Sequence, residues 1–217
     1  LVPIICENTD KQLSALMGLS LRNVTLNRIQ KKNGKVLYSE LGEMLFTHFG
    51  ISGPLALTAS SYMENPTDYR ITVDCKPGLS AEQLDARLLR DFGESPNRAF
   101  GNALEALLPR SLIPVVVAKS GIPADRRVNQ LTREDRQRLG ALIKAFPLTP
   151  QALRPIEEAV ITAGGVSVKE IDPRTMQSRL VKGLAFAGEV MDVDAVTGGY
   201  NLQIAWSTGY LAGTAAV

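Results

Sequence analysis

Two stretches of the chain alternate apolar and polar side chains with the period of a half-buried strand: Leu21 to Asn27 (LRNVTLN) and Tyr69 to Cys75 (YRITVDC). Lys32-Asn33-Gly34-Lys35 reads as a hairpin turn, with Val36 to Glu40 as the return strand. Leu41 to Phe49 is mixed and stops at Gly50. Ser52-Gly53-Pro54 then punctuates the chain, and proline suits the first turn of a helix over Leu55 to Met63. Ser80 is a natural N-cap for a helix over Ala81 to Phe92. Two short apolar helices follow, Asn102 to Leu108 and Leu112 to Ser120, separated by Pro109. Thr132 caps a helix over Arg133 to Ala145, with Asp135 placed as in a capping box. Strands come first and helices after, which predicts an α+β fold and not the alternating βαβ of a doubly wound sheet.

From about Arg154 the pattern changes. Ala159 to Ala163 reads as a short strand ending at Gly164-Gly165, and Val166 to Ile171 alternates as a second. Leu184 to Ala187 is wholly apolar, as a buried strand is, and ends at Gly188-Glu189. A loop from Val190 to Thr197 carries Asp192 and Asp194, residues that ordinarily cap or form turns. Gly198-Gly199-Tyr200-Asn201 then opens an apolar helix running to the C-terminus, on which Trp206 and Tyr210 share a face and are expected to pack in a core.

Composition narrows the classes. The 217 residues are 45% hydrophobic and 21% charged, ordinary for a globular protein of one large or two small domains. With 24 basic against 22 acidic residues, the chain carries no overall footprint for a polyanion. The local excess between Lys119 and Lys144 has no interleaved aromatic residues, so it reads as a solvated helix face, and no nucleic-acid partner is expected. Cys6 and Cys75 have no metal-ligand or redox spacing and read as buried thiols of a reducing, cytoplasmic compartment. No apolar run reaches the ~18 residues of a membrane span, so no membrane is expected as a partner. Leu-Val-Pro-Ile-Ile-Cys at the start lacks the basic region of a signal peptide and reads as a strand entered midway, the expected interior of a longer protein.

The chemistry concentrates at the end of the chain. Glycines before a helix let backbone approach a ligand without a Cβ in the way. The free N–H groups and macrodipole of the first turn then favour a phosphate, a carboxylate or an electron-rich carbonyl. Glu189 lies where open α/β sheets place ligands, and its carboxylate can accept from sugar hydroxyls. Each feature alone has a plainer reading, a tight turn or a cap; their arrangement points to a ligand.

The run Gly183 to Gly213 (GLAFAGEVMDVDAVTGGYNLQIAWSTGYLAG) resembles the C-terminal flavin motif of the NAD(FAD)-utilizing dehydrogenases, also labelled aminoacetone oxidase family FAD-binding enzymes. AVITAGGV at Ala159 to Val166, TMQSRLVKGL at Thr175 to Leu184, EMLFTHFGISGPLAL at Glu43 to Leu57 and LVPI at Leu1 resemble further family segments, in order along nearly the whole chain. The resemblance implies a flavoprotein whose FAD domain is split in sequence, with an N-terminal Rossmann half that is missing here. Residues 1–155 would then be the inserted, substrate-side domain of strands plus a helical subdomain. Residues 156–217 would be the C-terminal strand–loop–helix segment of the Rossmann-like FAD domain.

By that resemblance Gly188 and Glu189 line the ribityl and pyrophosphate side. Gly164, Gly165 and Val166 approach the flavin ring, next to Ala163 where the family also uses Met. The turn at Gly198 lets Gly199, Tyr200, Asn201 and Leu202 aim backbone N–H groups at the pyrimidine edge. His48, the single histidine, is the candidate proton carrier, with a structural role beside Phe46 and Phe49 as its alternative. The implied cofactor is FAD, with NAD(P)H as a candidate reductant of the intact protein, acting on a small organic substrate. The alternative is a non-redox module that binds a partner or ligand. If the Rossmann half is absent, the C-terminal strands would expose edges, which favours a homodimer.

Overall fold

The computed structural model describes residues 1–7 and 12–215. The predicted hairpin is its centre. Strand β2 (Ser20–Gln30) pairs antiparallel with β3 (Val36–Phe46), and Gly34, at φ +70°, closes the turn by donating its N–H to the Gln30 carbonyl at 2.9 Å. The return strand therefore runs six residues beyond Glu40, because Leu41, Gly42, Met44 and Leu45 pair with β2, and Leu45 and Phe46 pair with the next strand, at Ser52 and Ile51. β4 (Gly50–Ser52) lies next to β3, then β1 (Ile4–Cys6) and β7 (Pro150–Leu153). On the other flank of β2 lie β5 (Tyr69–Asp74) and β6 (Phe146–Leu148).

The two outermost strands, β6 and β7, are separated in sequence by Thr149 alone. One continuous segment thus lines both flanks of the seven-stranded sheet, and the sheet closes into a barrel whose edges are paired away. These strands are not apparent in the sequence, because Pro147 and Pro150 argue against strands. Both prolines sit where the segment passes from one flank to the other.

Helix α1 (Pro54–Ser60) starts at its proline, after Gly53 at φ +84°. α2 (Ala81–Glu94) carries a capping box between Ser80 and Gln83, and buries Leu84, Leu88 and Phe92 at a spacing of four. α3 (Leu112–Ser120) is buried on nearly every side, so its run Val115 to Val117 is helical against its own preference. α4 (Arg133–Lys144) buries Leu139 and Ile143 and has the expected capping box between Thr132 and Asp135. Phe146 meets Phe46 edge-on at 6.4 Å between strands, and the buried residues of barrel and helices form one core. The fold is α+β. Cys6 and Cys75 are buried free thiols pushed up to about 12 by burial, which leaves them unreactive.

The segment Asn102 to Leu108 forms turns, not the expected helix. Its entry is tied across the chain by Phe100 N–H to Arg126 O and Gly101 N–H to Ala124 O, both 2.8 Å, and Pro109 closes the other end. The strands expected in the C-terminal segment also do not form. Single bridges join Val166 to Met191, Ile171 to Ser178 and Gln177 to Ala185, because among the described residues no further strand pairs with them to extend the ladders. The segment therefore presents apolar side chains instead of strand edges. It ends in α5 (Tyr200–Ala215), whose Trp206 and Tyr210 are 68% and 73% exposed, against the expectation that they pack in a core. Among the described residues no helix is long and apolar enough to cross a membrane.

Asp135 carries a testable charge dependence. Its carboxylate accepts the Thr132 N–H and lies against Arg138 and Arg126, and the Thr132 backbone bond, first among these, holds it below the usual carboxylate range. A carboxylate depressed in the folded state stabilises the fold above its unfolded value of about 3.9, and that contribution fades as pH falls through and below it. Asp135→Asn is expected to flatten the fall in melting temperature between about pH 5 and pH 2.5, measured by thermal denaturation. An unchanged profile would show that the cap does not depend on charge.

Candidate functional site

The glycine turns at 164–165 and 188 meet at one corner, through Val190 and Met191. Gly164 and Gly165 adopt φ +93° and +134°, conformations open to glycine. They turn the chain so that Val166 runs parallel to Val190–Asp192, donating its N–H to Val190 O and accepting from Asp192 N–H, both at 2.8 Å. The fit at Gly165 is tight: a Cβ there would stand 2.4 Å from the Val190 carbonyl oxygen. Ile171, Met176 and Met191 form a small buried cluster beneath, with Leu211 of α5 packed on it. Met176 holds φ +59°, rare for a side chain of its size, inside that cluster.

α5 joins the same corner from the other side. Gly188, at φ +72°, donates its N–H to the Thr208 hydroxyl at 3.0 Å, and a Cβ there would lie 3.8 Å from Ala205. That N–H is thus committed to the helix. Thr208 is a site-building residue that sequence reasoning missed; a hydroxyl in mid-helix, nine residues after Gly199, was the available signal. Asn201 uses its side-chain amide as a clamp on the preceding loop, accepting from Ala195 N–H and donating to Ala195 O, each at 2.8 Å. Thr197, in the same loop, meets the buried Thr58 hydroxyl of α1 at 3.1 Å, so the loop rests on the barrel domain.

Bare backbone remains. Gly164 and Gly199, at φ +93° and +86°, have nothing within 4 Å of where a Cβ would stand. The first turn of α5 begins directly after Gly199, with its first intrahelical bond from Gln203 N–H to Gly199 O. The N–H groups of Tyr200, Asn201 and Leu202 lie ahead of that bond, as helix geometry requires. Glu189 is solvent-exposed beside this corner. The arrangement suits a flat, electron-rich group laid against exposed backbone, with a helix N-terminus at its negative edge.

His48 sits elsewhere in the network. It occupies the exposed tip of the β3–β4 turn, which Thr47 and Gly50 close with bonds of 2.9 and 3.1 Å. Its ring packs edge-on against Phe49 at 5.0 Å. Glu158, paired to Arg154, is held below the usual carboxylate range first by that guanidinium and least by His48. Among the described residues no hydrogen bond or ring contact links His48 to the glycine corner. Nor do three His, Cys, Asp or Glu side chains among them gather as a metal site would require.

The chain has relatives among known proteins. Residues 1–161 match the family described as HI0933-like protein barrel and H2TH domain. The ribosomal RNA dihydrouridine synthase of Haemophilus influenzae is 37% identical over 210 residues, 97% of this chain and 49% of that protein. The ribosomal RNA dihydrouridine synthase of Escherichia coli is 34% identical, over 92% of this chain and 47% of its own length. The 3-dehydro-bile acid delta(4,6)-reductase of Clostridium scindens is 31% identical, over 96% of this chain and 48% of its own length. The chain spans about half the length of the curated relatives it matches.

Proposed function

The chain belongs to the HI0933-like family of flavoprotein-related oxidoreductases, and from that premise we propose that it is the barrel and flavin-side half of an FAD-dependent reductase. Its reaction is the saturation of a carbon–carbon double bond conjugated to a carbonyl. The relatives' names support this reaction type. A dihydrouridine synthase saturates the ring double bond of uracil, and a delta(4,6)-reductase of a 3-dehydro bile acid saturates bonds conjugated to a ring ketone. The aminoacetone oxidase label suggested by the motifs is a different chemistry, and none of these three names carries it.

The observation that carries the reading is the bare backbone at Gly164 and at Gly199, each with nothing within 4 Å of where a Cβ would stand. A Cβ at either position would fill the place where a flavin ring must lie, so the residues present fit that cofactor. When bound, and once reduced by a two-electron donor such as NAD(P)H, the flavin would supply the hydride for the reduction. Gly164 and Gly165 let the chain pass close to the ring. Tyr200, Asn201 and Leu202 present N–H groups and the positive helix end to the pyrimidine edge, where negative charge accumulates on reduction. The Asn201 clamp and the Thr58–Thr197 contact hold that helix end at a set distance from the barrel. Glu189 accepts from ribityl hydroxyls.

Two substrate sources fit the same bond chemistry. A small ring enone agrees with the fate of the 119–144 basic run, where Arg126 and Arg138 pair with Asp135, Arg136 with Asp85 and Lys144 with Asp74. A uridine within RNA is favoured by the two relatives of higher identity.

Absorbance spectroscopy tests the cofactor. The chain mixed with excess FAD and desalted is expected to retain little flavin alone, and to retain it stoichiometrically when the remaining half of the relatives' length is supplied. No retention even then would transfer the assignment to a non-redox binding module. With flavin retained, turnover of a conjugated steroid dienone against unmodified ribosomal RNA separates the two substrates.

A further inference from the structure

We propose that the β2–β3 hairpin end of the barrel is an RNA-binding surface, with Lys31, Lys32, Lys35 and Arg70 meeting phosphates and Tyr62 stacking on a base. This names the partner for the uridine reading above and rests on that reading.

Charge supplies the first observation. Between Leu21 and Leu37 lie five basic residues, Arg22, Arg28, Lys31, Lys32 and Lys35, and no acidic one. Register brings Arg70 opposite Ile29 at the same end. The Lys31 N–H donates to Asp68 O at 2.9 Å and its ammonium to Thr67 O at 2.8 Å, so the hairpin lies against the 65–68 turn. Lys31, Lys32, Lys35 and Arg70 are exposed, and none takes part in an ion pair among the described residues. Carboxylates near this end include Glu40, opposite Leu26, and Asp68, whose carbonyl meets the Lys31 N–H, against five cations when Arg28 is included. The more basic-looking run from Lys119 to Lys144 is the reverse case, since four of its cations are neutralised by nearby carboxylates.

The second observation is a buried cation beneath an exposed ring. Arg28 is 5% exposed, and its guanidinium donates to the Tyr62 carbonyl and lies 5.8 Å from the Tyr62 ring and 4.8 Å from that of Tyr69. Its Nε is buried without a hydrogen-bond partner, and no carboxylate pairs with it among the described residues. A buried positive charge without a counter-charge leaves unsatisfied positive potential at this end of the barrel. Tyr62 itself is 53% exposed, with Tyr38 at 6.3 Å behind it. An aromatic ring amid unpaired cations is what a single strand of nucleic acid uses, the ring for a base and the cations for its backbone. A lipid surface has no use for the ring as a stacking platform.

Fluorescence anisotropy with a labelled mixed-sequence single-stranded RNA of about 20 nucleotides, longer than one domain's typical footprint, tests this on the purified 217-residue chain. The four phosphate contacts predict that log Kd rises with log salt at a slope of about 3, at about 0.7 per contact for single strands. The triple variant Lys31→Glu, Lys32→Glu, Lys35→Glu, all at exposed turn positions, is expected to lose at least tenfold in affinity and most of the slope. Tyr62→Ala is expected to lose about tenfold at unchanged slope, and Arg127→Glu with Arg133→Glu to lose nothing. RNA binding that is absent, that survives the triple variant, or that gives way to binding of phosphatidylserine vesicles through the same lysines would overturn the proposal. Flavin retention with the complementary half supplied keeps the readings apart: retained flavin with lost RNA binding in the triple variant supports both, and absent flavin with intact RNA binding in the unsubstituted chain removes only the reductase.

Discussion

Gly165→Ala is expected to abolish flavin retention while leaving the barrel folded. The methyl group would stand 2.4 Å from the Val190 carbonyl oxygen and 2.9 Å from the Met191 carbonyl carbon, so backbone must move. That oxygen is the acceptor for Val166, and the neighbouring bond from Asp192 closes the same bridge. Losing the two bonds costs about 1–3 kcal/mol together, and alanine at φ +134° adds roughly 1–3 kcal/mol of backbone strain. The small cluster of Ile171, Met176 and Met191 has little apolar area with which to absorb such a loss. Gly164→Ala is the control: it has open space around it, so it meets the strain of φ +93° without the collision. In the complemented protein, Gly165→Ala should elute without flavin and be cut by trypsin around residues 169–182, while Gly164→Ala folds this corner and weakens flavin through its new methyl alone. Wild-type retention by Gly165→Ala would remove the corner from the cofactor site.

Gly50→Ala is expected to unfold the barrel. Gly50 lies in β4, and a Cβ there would stand 2.2 Å from Ile4 O and 2.6 Å from Cys6 N. β1 is the strand that joins β4 to β7, so displacing it opens the barrel where the sheet closes. A collision with two backbone atoms of a buried strand belongs with the rare losses above about 4 kcal/mol. For a domain of this size that corresponds to a melting temperature about 10 °C lower, or to insoluble protein. Gly34→Ala at the hairpin turn, with nothing within 4 Å, is expected to cost only its left-handed conformation, about 1 kcal/mol. Equal melting temperatures for the two variants would refute the closure geometry.

α5 connects these tests to the rest of the protein. Its exposed Tyr200, Leu202, Trp206 and Tyr210 join exposed Leu180, Val181 and Val190, an apolar surface on a segment with a small core of its own. The half of the relatives' length outside this chain is the natural cover in the proposed reductase. Quenching and blue shift of Trp206 fluorescence on complementation would report that docking independently of flavin.

Much of the molecule follows from residues close to one another in the chain. The Asn33-Gly34 turn, Pro54 at the start of α1, the Ser80 and Thr132 caps and the glycines before α5 each act within about four residues, and all were readable as sequence. Leu84, Leu88 and Phe92, four apart, form the buried face of α2. What the sequence could not decide depends on residues far apart. Barrel closure requires one proline-bearing segment to pair with β5 on one side and β1 on the other. The alternating residues after Ala159 remain single bridges because a strand exists only where another offers its hydrogen bonds. Glycines that look alike separate into those clamped on backbone, Gly50 and Gly165, and those open to a ligand, Gly164 and Gly199. Charge divides in the same way: the basic run at and before α4 meets its carboxylates in space, and among the described residues the lysines of the hairpin do not. Local conformation is set by steric and hydrogen-bonding choices within a turn of chain, whereas contact, neutralisation and exposure are properties of pairs that only the folded chain brings together.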